Sequence, residues 1–321
     1  MRSYNIRDLT NIAQYNKFNR DTLEKVLRLS ELLKLFNENE EFKGKYVLKG
    51  GTAINLCLFD FPRLSVDIDM NFNSNSSKEE MLETRELHRK LISAFVSLDG
   101  YTIDPKSRFT FTLDSYLLKY TNAAGSRDNI KIELNYSNRI QILEPVNYKL
   151  SSKIIDNESI LALNKVELYG SKIAALIGRT TARDIFDVFQ LINKQILLDS
   201  ELDMLKKCSI FYLLTSNEFQ SLGDLLNQFK KNMENMSFSA IKRNLIPLLH
   251  VGERIDTDAF KQTVSQFIET LFELTETEQK YIDSFNAGEF NPELLFDKAI
   301  ADRLKEHPMA LWKMKNNLQN D

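Results

Sequence analysis

Histidine and cysteine are scarce in this chain of 321 residues, which has three histidines and two cysteines. Cys57 and Cys208 lie far apart in apolar settings. That excludes a disulfide scaffold and a thiolate zinc site, and it fits a reducing cytoplasm. The few histidines are scattered, so no Ser-His-Asp or Cys-His grouping is suggested. No apolar run approaches the roughly 18 residues of a membrane span. The opening MRSYNIRDLTN carries no apolar segment of the secretory kind. A cytoplasmic protein with no membrane partner is the expectation. A Walker GxxxxGK[ST] loop is missing too. Charge of either sign is not in excess: 42 Lys and Arg stand against 45 Asp and Glu, a net of −3. Any nucleic-acid contact must therefore come from a local patch. What remains is a globular composition, 43% hydrophobic and 27% charged, long enough for two subdomains and without an internal repeat.

One stretch, YVLKGGTAINLCLFDFPRLSVDIDMNF at 46–72, organises the rest. Tyr46-Val47-Leu48 is β-prone. Lys49-Gly50-Gly51-Thr52 is a tight turn entering a helical-looking AINLCLF. From Arg63 to Phe72 the residues alternate. Val66, Ile68, Met70 and Phe72 take one face of a strand, and Asp67, Asp69 and Asn71 the other. Two carboxylates at i and i+2 on one face repel unless a cation lies between them. Oxygen ligands of this kind suit Mg²⁺. A Gly-Gly turn at a helix start exposes N–H groups and a positive dipole end, which suits an anion. A phosphate cradle beside a metal site follows, hence phosphoryl or nucleotidyl transfer.

The GG[TS]…DxD pair resembles the polymerase-β-like nucleotidyltransferase superfamily. The longer LKGGTAINL…RLSVDID is similar to its AbiEii/AbiGii branch, nucleotidyltransferase toxins of type IV toxin–antitoxin and abortive-infection (phage-defence) systems. The resemblance covers roughly residues 20–315. It implies an α+β fold. Residues 1–150 would form a polymerase-β-like nucleotidyltransferase domain, a mixed sheet with flanking helices. Residues 151–321 would form a largely α-helical domain completing the active site. Lys49, Gly50, Gly51, Thr52, Arg63 and Ser65 would bind nucleotide, with the Thr52 hydroxyl helping to grip its phosphates.

Along the chain, 1–16 reads as an arm or short helix, and Asp21 to Phe36 as a packing helix. Ser77 and Glu80 form a capping box for a charged helix through about Phe95. His88, among Arg85, Arg89 and Lys90, reads there as part of a solvated face. In 129–136, Ile130, Ile132 and Leu134 alternate with Lys131, Glu133 and Asn135. Taken alone, Glu133 is either an exposed glutamate paired with Lys131 or Arg139, or a site residue. The family resemblance makes it the third metal-site carboxylate. After Pro145 the β alternation stops, with 158–178 reading as helix. A helix with Thr181 as N-cap then starts near Asp184.

The block Lys172…Arg179…Arg183-Asp184-Ile-Phe-Asp187 resembles the family's second region, where lysine, arginine and an RD..D helix complete the site. Arg179, Arg183 and Asp184 would there join the nucleotide-binding set. Asp184 is otherwise a partner of the helix dipole, and Lys172 a solvated helix residue. Asp187, set among Phe186, Val188 and Phe189, is an acid that needs a partner or a function. The end, PELLF…HP..LWK, is again similar to the family. Trp312 there either packs the terminal helix or stacks on nucleic acid. The expectation is Mg²⁺ (two ions, or Mn²⁺ instead) on Asp67, Asp69 and Glu133, with Lys172 offsetting phosphate charge and Asp187 orienting it or acting as base. The substrates would be an NTP and an RNA acceptor such as the tRNA 3′ end, and the partner a cognate antitoxin. The competing readings are modification of a protein or small-molecule hydroxyl and a non-catalytic nucleotide-binding module.

Overall fold

The alternation around Asp67 forms the strand it predicts. In the computed structural model, which describes residues 4–150, 154–155, 159–216 and 221–317, the chain divides into two units. The first contains Met1–Arg139, Pro145–Ala162 and Pro247–Gly252. Its elements in chain order are α1 (Ile6–Tyr15), α2 (Arg20–Glu38), β1 (Tyr46–Lys49), α3 (Gly50–Ala53), β2 (Asp67–Phe72), α4 (Lys78–Leu98), β3 (Thr102–Ile103), β4 (Arg108–Phe109), β5 (Leu113–Thr121), β6 (Arg127–Asn135), β7 (Val146–Lys149) and β8 (Ser159–Ala162). The strands form one mixed sheet in the order β3-β5-β6-β2-β1-β8-β7, with β4 also on β5. β2 runs parallel to β6 and antiparallel to β1.

One face of this sheet is apolar and buried. Ile68, Met70, Tyr116, Leu118, Ile130, Ile132 and Leu134 are all 2% exposed or less. Burying such side chains gains roughly 1.5–3 kcal/mol each and sets the register, since a one-residue slip would turn them to the other face. α2 begins as the sequence suggests, with Asn19 accepting from Asp21 and Thr22, and the Ser77–Glu80 capping box starts α4.

His88 departs from expectation. It lies on the inner face of α4 and is fully buried. Its Nε2 donates to the carbonyl of Glu41 at 3.0 Å, so Nδ1 is the acceptor for the Tyr46 hydroxyl at 2.8 Å. A neutral ring is thereby held, and burial pulls its pKa from an ordinary 6.5 down to about 4. The charged neighbours on α4 hid this position. Arg85 is itself buried on Asp114, which also takes Arg89. Because the folded pKa lies below the unfolded one, the unfolded chain binds the extra proton between the two values. The His88 contribution to stability should thus fall as pH drops from about 6.5, by roughly 2–3 kcal/mol at pH 4.5. Urea unfolding of wild type and His88→Gln across this range tests it; parallel pH curves would refute the assignment.

The sheet does not end where the β alternation in the sequence stops. β7 and β8 form an antiparallel hairpin beyond Pro145, and β8 pairs in parallel with β1 at Leu48–Ala162. The first unit therefore runs to Ala162 rather than 150, and the helix read over 158–178 starts at Lys165. A strand of four residues, SILA, is too short for its period to be told from that of the apolar helix after it.

The second unit contains Ile140–Glu144, Leu163–Ile246 and Glu253–Asp321. It is helical: α5 (Lys165–Arg179), α6 (Ala182–Asn193), α7 (Leu202–Ser216), α8 (Leu222–Asn235), α9 (Phe238–Asn244), α10 (Thr257–Leu271), α11 (Glu276–Asn286), α12 (Lys298–Leu304) and α13 (Pro308–Asn317). Gly170 lets α5 approach α7 closely, since a Cβ there would lie 2.5 Å from Cys208 Cβ. Glu167, fully buried, accepts from the backbone N–H of Ile142 and Leu143 and from Tyr212, which fixes the 140–144 segment to this unit. Pro292 opens only a short 3₁₀ turn to Leu294. Trp312 is 54% exposed, so α13 packs through Ala310 and Met314 and not through the tryptophan. Among the described residues no helix is long and apolar enough to cross a membrane.

Candidate active site

The polar face of the sheet carries a single row of partners across five strands. Lys49 of β1 pairs with Asp69 of β2, Asp69 with Glu133 of β6, Glu133 with Ser115 of β5, and Ser115 with Arg108 of β4. Side chains of directly paired residues share a face. Asp67, two residues before Asp69, joins the same face opposite Lys131. The two carboxylates expected from β2 and the one from β6 thus stand on adjacent strands. Alternation in the sequence assigns each its face; only the pairing gives the register.

Their electrostatics are those of crowded acids. Burial pushes the Asp69 carboxyl up to about 6; Lys49 pulls it down, and Glu133 and Asp67 push it further up. Glu133 is pushed up by burial too, yet it is held below the usual carboxylate range by Lys131 and by hydrogen bonds from Ser115 and Asp69. Lys131 Nζ is 2.7 Å from Glu133 Oε1, the pairing that sequence offered as the plainer role for this glutamate. Burial lowers the Lys49 ammonium pKa, against the pull of Asp69 and Glu133. As the side chains stand, no three acidic, His or Cys groups among the described residues converge closely enough to hold a metal ion. The donor set nevertheless fits one. It is oxygen-only, it sits on adjacent strands, and burial beside two further acids makes Asp69 proton-prone, a charge deficit that a cation would fill.

The Gly-Gly turn packs directly on this row. Gly50 has φ +72°, and a Cβ on it would lie 2.8 Å from Asp69 Oδ2. A Cβ on Gly51 would lie 2.6 Å from Arg63 Nη2 and 3.1 Å from Ser65 Oγ. Both glycines are required by close approach. Lys49, the residue before α3, offers no side-chain cap to the helix start, which leaves its N–H groups for an anion. Buried Arg63 places a cation beneath the turn and donates to the carbonyl of Leu64 at 3.0 Å.

Thr52 is corrected by the structure. It is 2% exposed, and its hydroxyl donates to the backbone carbonyl of Asp67 and bonds Ser65 Oγ at 3.0 Å. It ties the turn to β2 instead of facing outward to a phosphate, because α3 buries that side of its single turn. Ser65 serves the same tie. Asn55 was missed. It is fully buried in the π-turn Ile54–Leu58, donates from Nδ2 to the carbonyl of Gly51 at 2.7 Å, and accepts from the N–H of Arg63. A lone asparagine inside AINLCLF was the available signal.

The second predicted cluster lies in the helical unit. Lys172, on α5 and 6% exposed, has its Nζ 2.9 Å from both Asp184 and Asp187 of α6. Lys172 is therefore not the solvated helix residue it could have been. Asp184 accepts from Arg179 Nε at 2.7 Å and from Thr181 Oγ1 at 2.6 Å. Burial works against its charge, but Lys172 and Arg179 hold it well below the carboxylate range. Thr181 caps α6 as expected. Arg179 is largely exposed beyond its ion pair, and Arg183 is exposed.

A family model described as nucleotidyl transferase AbiEii toxin, type IV toxin–antitoxin system, matches residues 32–294. The chain belongs to this family. That span includes both clusters. The AbiEii family makes the chain a nucleotidyltransferase and a toxin, with an NTP as substrate and an antitoxin as implied partner. Among solved structures, MenT4, a nucleotidyltransferase toxin from Mycobacterium tuberculosis, is similar at 14% identity and TM-score 0.65, over 96% of this chain and 99% of that one. That likeness bears on the fold: a mixed sheet with flanking helices and a helical remainder. The CdnE cyclic dinucleotide synthase of Elizabethkingia meningoseptica matches at 12% identity over 83% of this chain and 99% of that one, with a TM-score of 0.24. No curated protein matches the chain.

Proposed function

We propose that this toxin transfers a nucleoside monophosphate from an NTP to a hydroxyl of an RNA, the 3′ end of tRNA being the acceptor, with release of pyrophosphate. The observation that carries the transfer chemistry is the Asp69–Glu133 pair, one strand from a Gly-Gly turn whose helix start lacks a side-chain cap. Asp67, Asp69 and Glu133 would hold Mg²⁺ or Mn²⁺, which when bound supplies charge neutralisation at phosphate and a lowered pKa for the attacking hydroxyl. The chain's own residues do the rest. The N–H groups of the Gly50–Gly51 turn and the Lys49 ammonium hold phosphate oxygens. Arg63 raises the potential beneath them. Thr52, Ser65 and Asn55 fix the turn on β2 and are positioning residues. In the helical unit, Lys172, Asp184 and Asp187 lock α5 to α6, and Asp184 holds Arg179, which with exposed Arg183 would meet a polyanionic substrate.

The test is incubation of the protein with Mg²⁺, each α-³²P-labelled NTP in turn, and total bacterial tRNA. Label in tRNA supports the reading and names the nucleotide. Label in protein moves the acceptor to a protein hydroxyl and overturns the RNA assignment. No label from any NTP overturns the transfer itself.

A further inference from the structure

The catalytic row continues past Glu133 onto a part of the sheet that the transfer chemistry does not use. On β5 and β6 the even-numbered residues face the core, while the odd-numbered ones are half-buried or exposed. The outward set carries Lys119, Arg127 and Lys131, and β4 adds Arg108 beside Ser115. Apart from Glu133, no acid stands on this face of the three strands. Lys131 is taken by Glu133, and Lys119 pairs at 2.5 Å with Asp104 at its edge. Arg108 and Arg127 are exposed and form no ion pair among the described residues. In a chain of net charge −3 such a one-signed strip stands out. Elsewhere on the surface Lys206 pairs with Glu278, Lys207 with Asp203 and Lys230 with Glu269.

We infer that the outward face of β4, β5 and β6, led by Arg108 and Arg127, is the docking surface for the RNA acceptor's phosphate backbone. This rests on the proposal that the acceptor is RNA. Two features support it. The strip starts at the carboxylate row itself, with Arg108 two strands beyond Glu133 and on the opposite side of Asp69 from the Gly-Gly turn. It then runs along β6 to Arg127, six residues from Glu133 and so roughly 20 Å away at strand spacing. A nucleotide held at the turn and an acceptor led in along β6 would meet at Asp69 and Glu133 from two sides. Arginine at both ends suits phosphate, which it grips in bidentate fashion. The hairpin bearing Arg127 is anchored, since Glu24 of α2 accepts from the N–H of Ala123.

The experiment is steady-state transfer to total bacterial tRNA by wild type, Arg108→Ala, Arg127→Glu and the remote surface variant Lys43→Glu, with KM for tRNA and for NTP measured separately at several salt concentrations. Arg108→Ala and Arg127→Glu should each raise KM for tRNA at least about fivefold and flatten its log–log salt slope by about 1, with kcat and KM for NTP held and Lys43→Glu matching wild type. If wild type labels tRNA but both variants keep its KM and salt slope, the docking surface is wrong and the RNA reading stands. If wild type labels protein, or nothing, both fall together.

Discussion

Asp69→Asn should abolish transfer and yet melt at a higher temperature than wild type. The loss should be about 10³-fold or more, some 4 kcal/mol of transition-state stabilisation, because the carboxylate nearest the Gly-Gly turn is removed from the row. The gain has a separate cause. Burial and the acids Glu133 and Asp67 hold the Asp69 pKa near 6, against the pull of Lys49 and Lys131. The folded chain therefore binds a proton more tightly than the unfolded chain does. The Asp69 contribution to stability falls as pH rises from the ordinary carboxylate range through about 6, and above it the charged Asp69 costs the fold on the order of 2 kcal/mol. A neutral isostere removes that cost. For a chain of this size the shift should be a few degrees. Melting curves at pH 7.5 beside the transfer assay check both halves. A variant that loses activity and also melts lower would mean that Asp69 stabilises the fold, the opposite of what its raised pKa requires.

Gly50→Ala should cost about 10²-fold in transfer while the chain still folds. At φ +72° an L-residue is strained by roughly 1–2 kcal/mol. The new methyl would also lie 2.8 Å from Asp69 Oδ2, so the carboxylate or the turn must move. A displacement near 1 Å at reacting groups is worth about that factor. Gly44→Ala is the control: it shares a positive φ of +75° but has nothing within 4 Å of its Cβ, so it should bear the strain without the loss of activity. Equal activity losses in the two variants would show that backbone strain alone, and not the approach to Asp69, is responsible.

The parts of the site that were legible in the sequence are those set by local pattern. Period-two alternation placed Asp67 and Asp69 together, and a Gly-Gly pair before a helical run marked the close turn. Glu133 was assignable to an outward face, but its register opposite Asp69 is a non-local pairing that no local pattern encodes. The same holds for Lys49, whose place in the row comes from β1–β2 pairing. His88 was misread because its helix neighbours are charged, whereas the partners that bury it, Tyr46 and Glu41, come from elsewhere in the chain. Thr52 was given an outward hydroxyl because the turn motif suggests phosphate. The short α3 buries that side chain against β2. The helical unit's three-way contact among Lys172, Asp184 and Asp187 could be anticipated only in part. The sequence put the two acids on one helix, and packing of α5 on α6 brought the lysine to both.

Whether Asp69 and Glu133 form a cation site is decided by calorimetric titration of Mg²⁺ into the protein at pH 6, in two buffers of different ionisation enthalpy, for wild type and Glu133→Gln. If the two carboxylates hold a cation together, binding must displace the proton they share. Wild type should then bind with release of a sizeable fraction of one proton, and Glu133→Gln should bind at least about tenfold more weakly. Binding that releases no proton and is indifferent to Glu133 would contradict the assignment of this pair as the cation site.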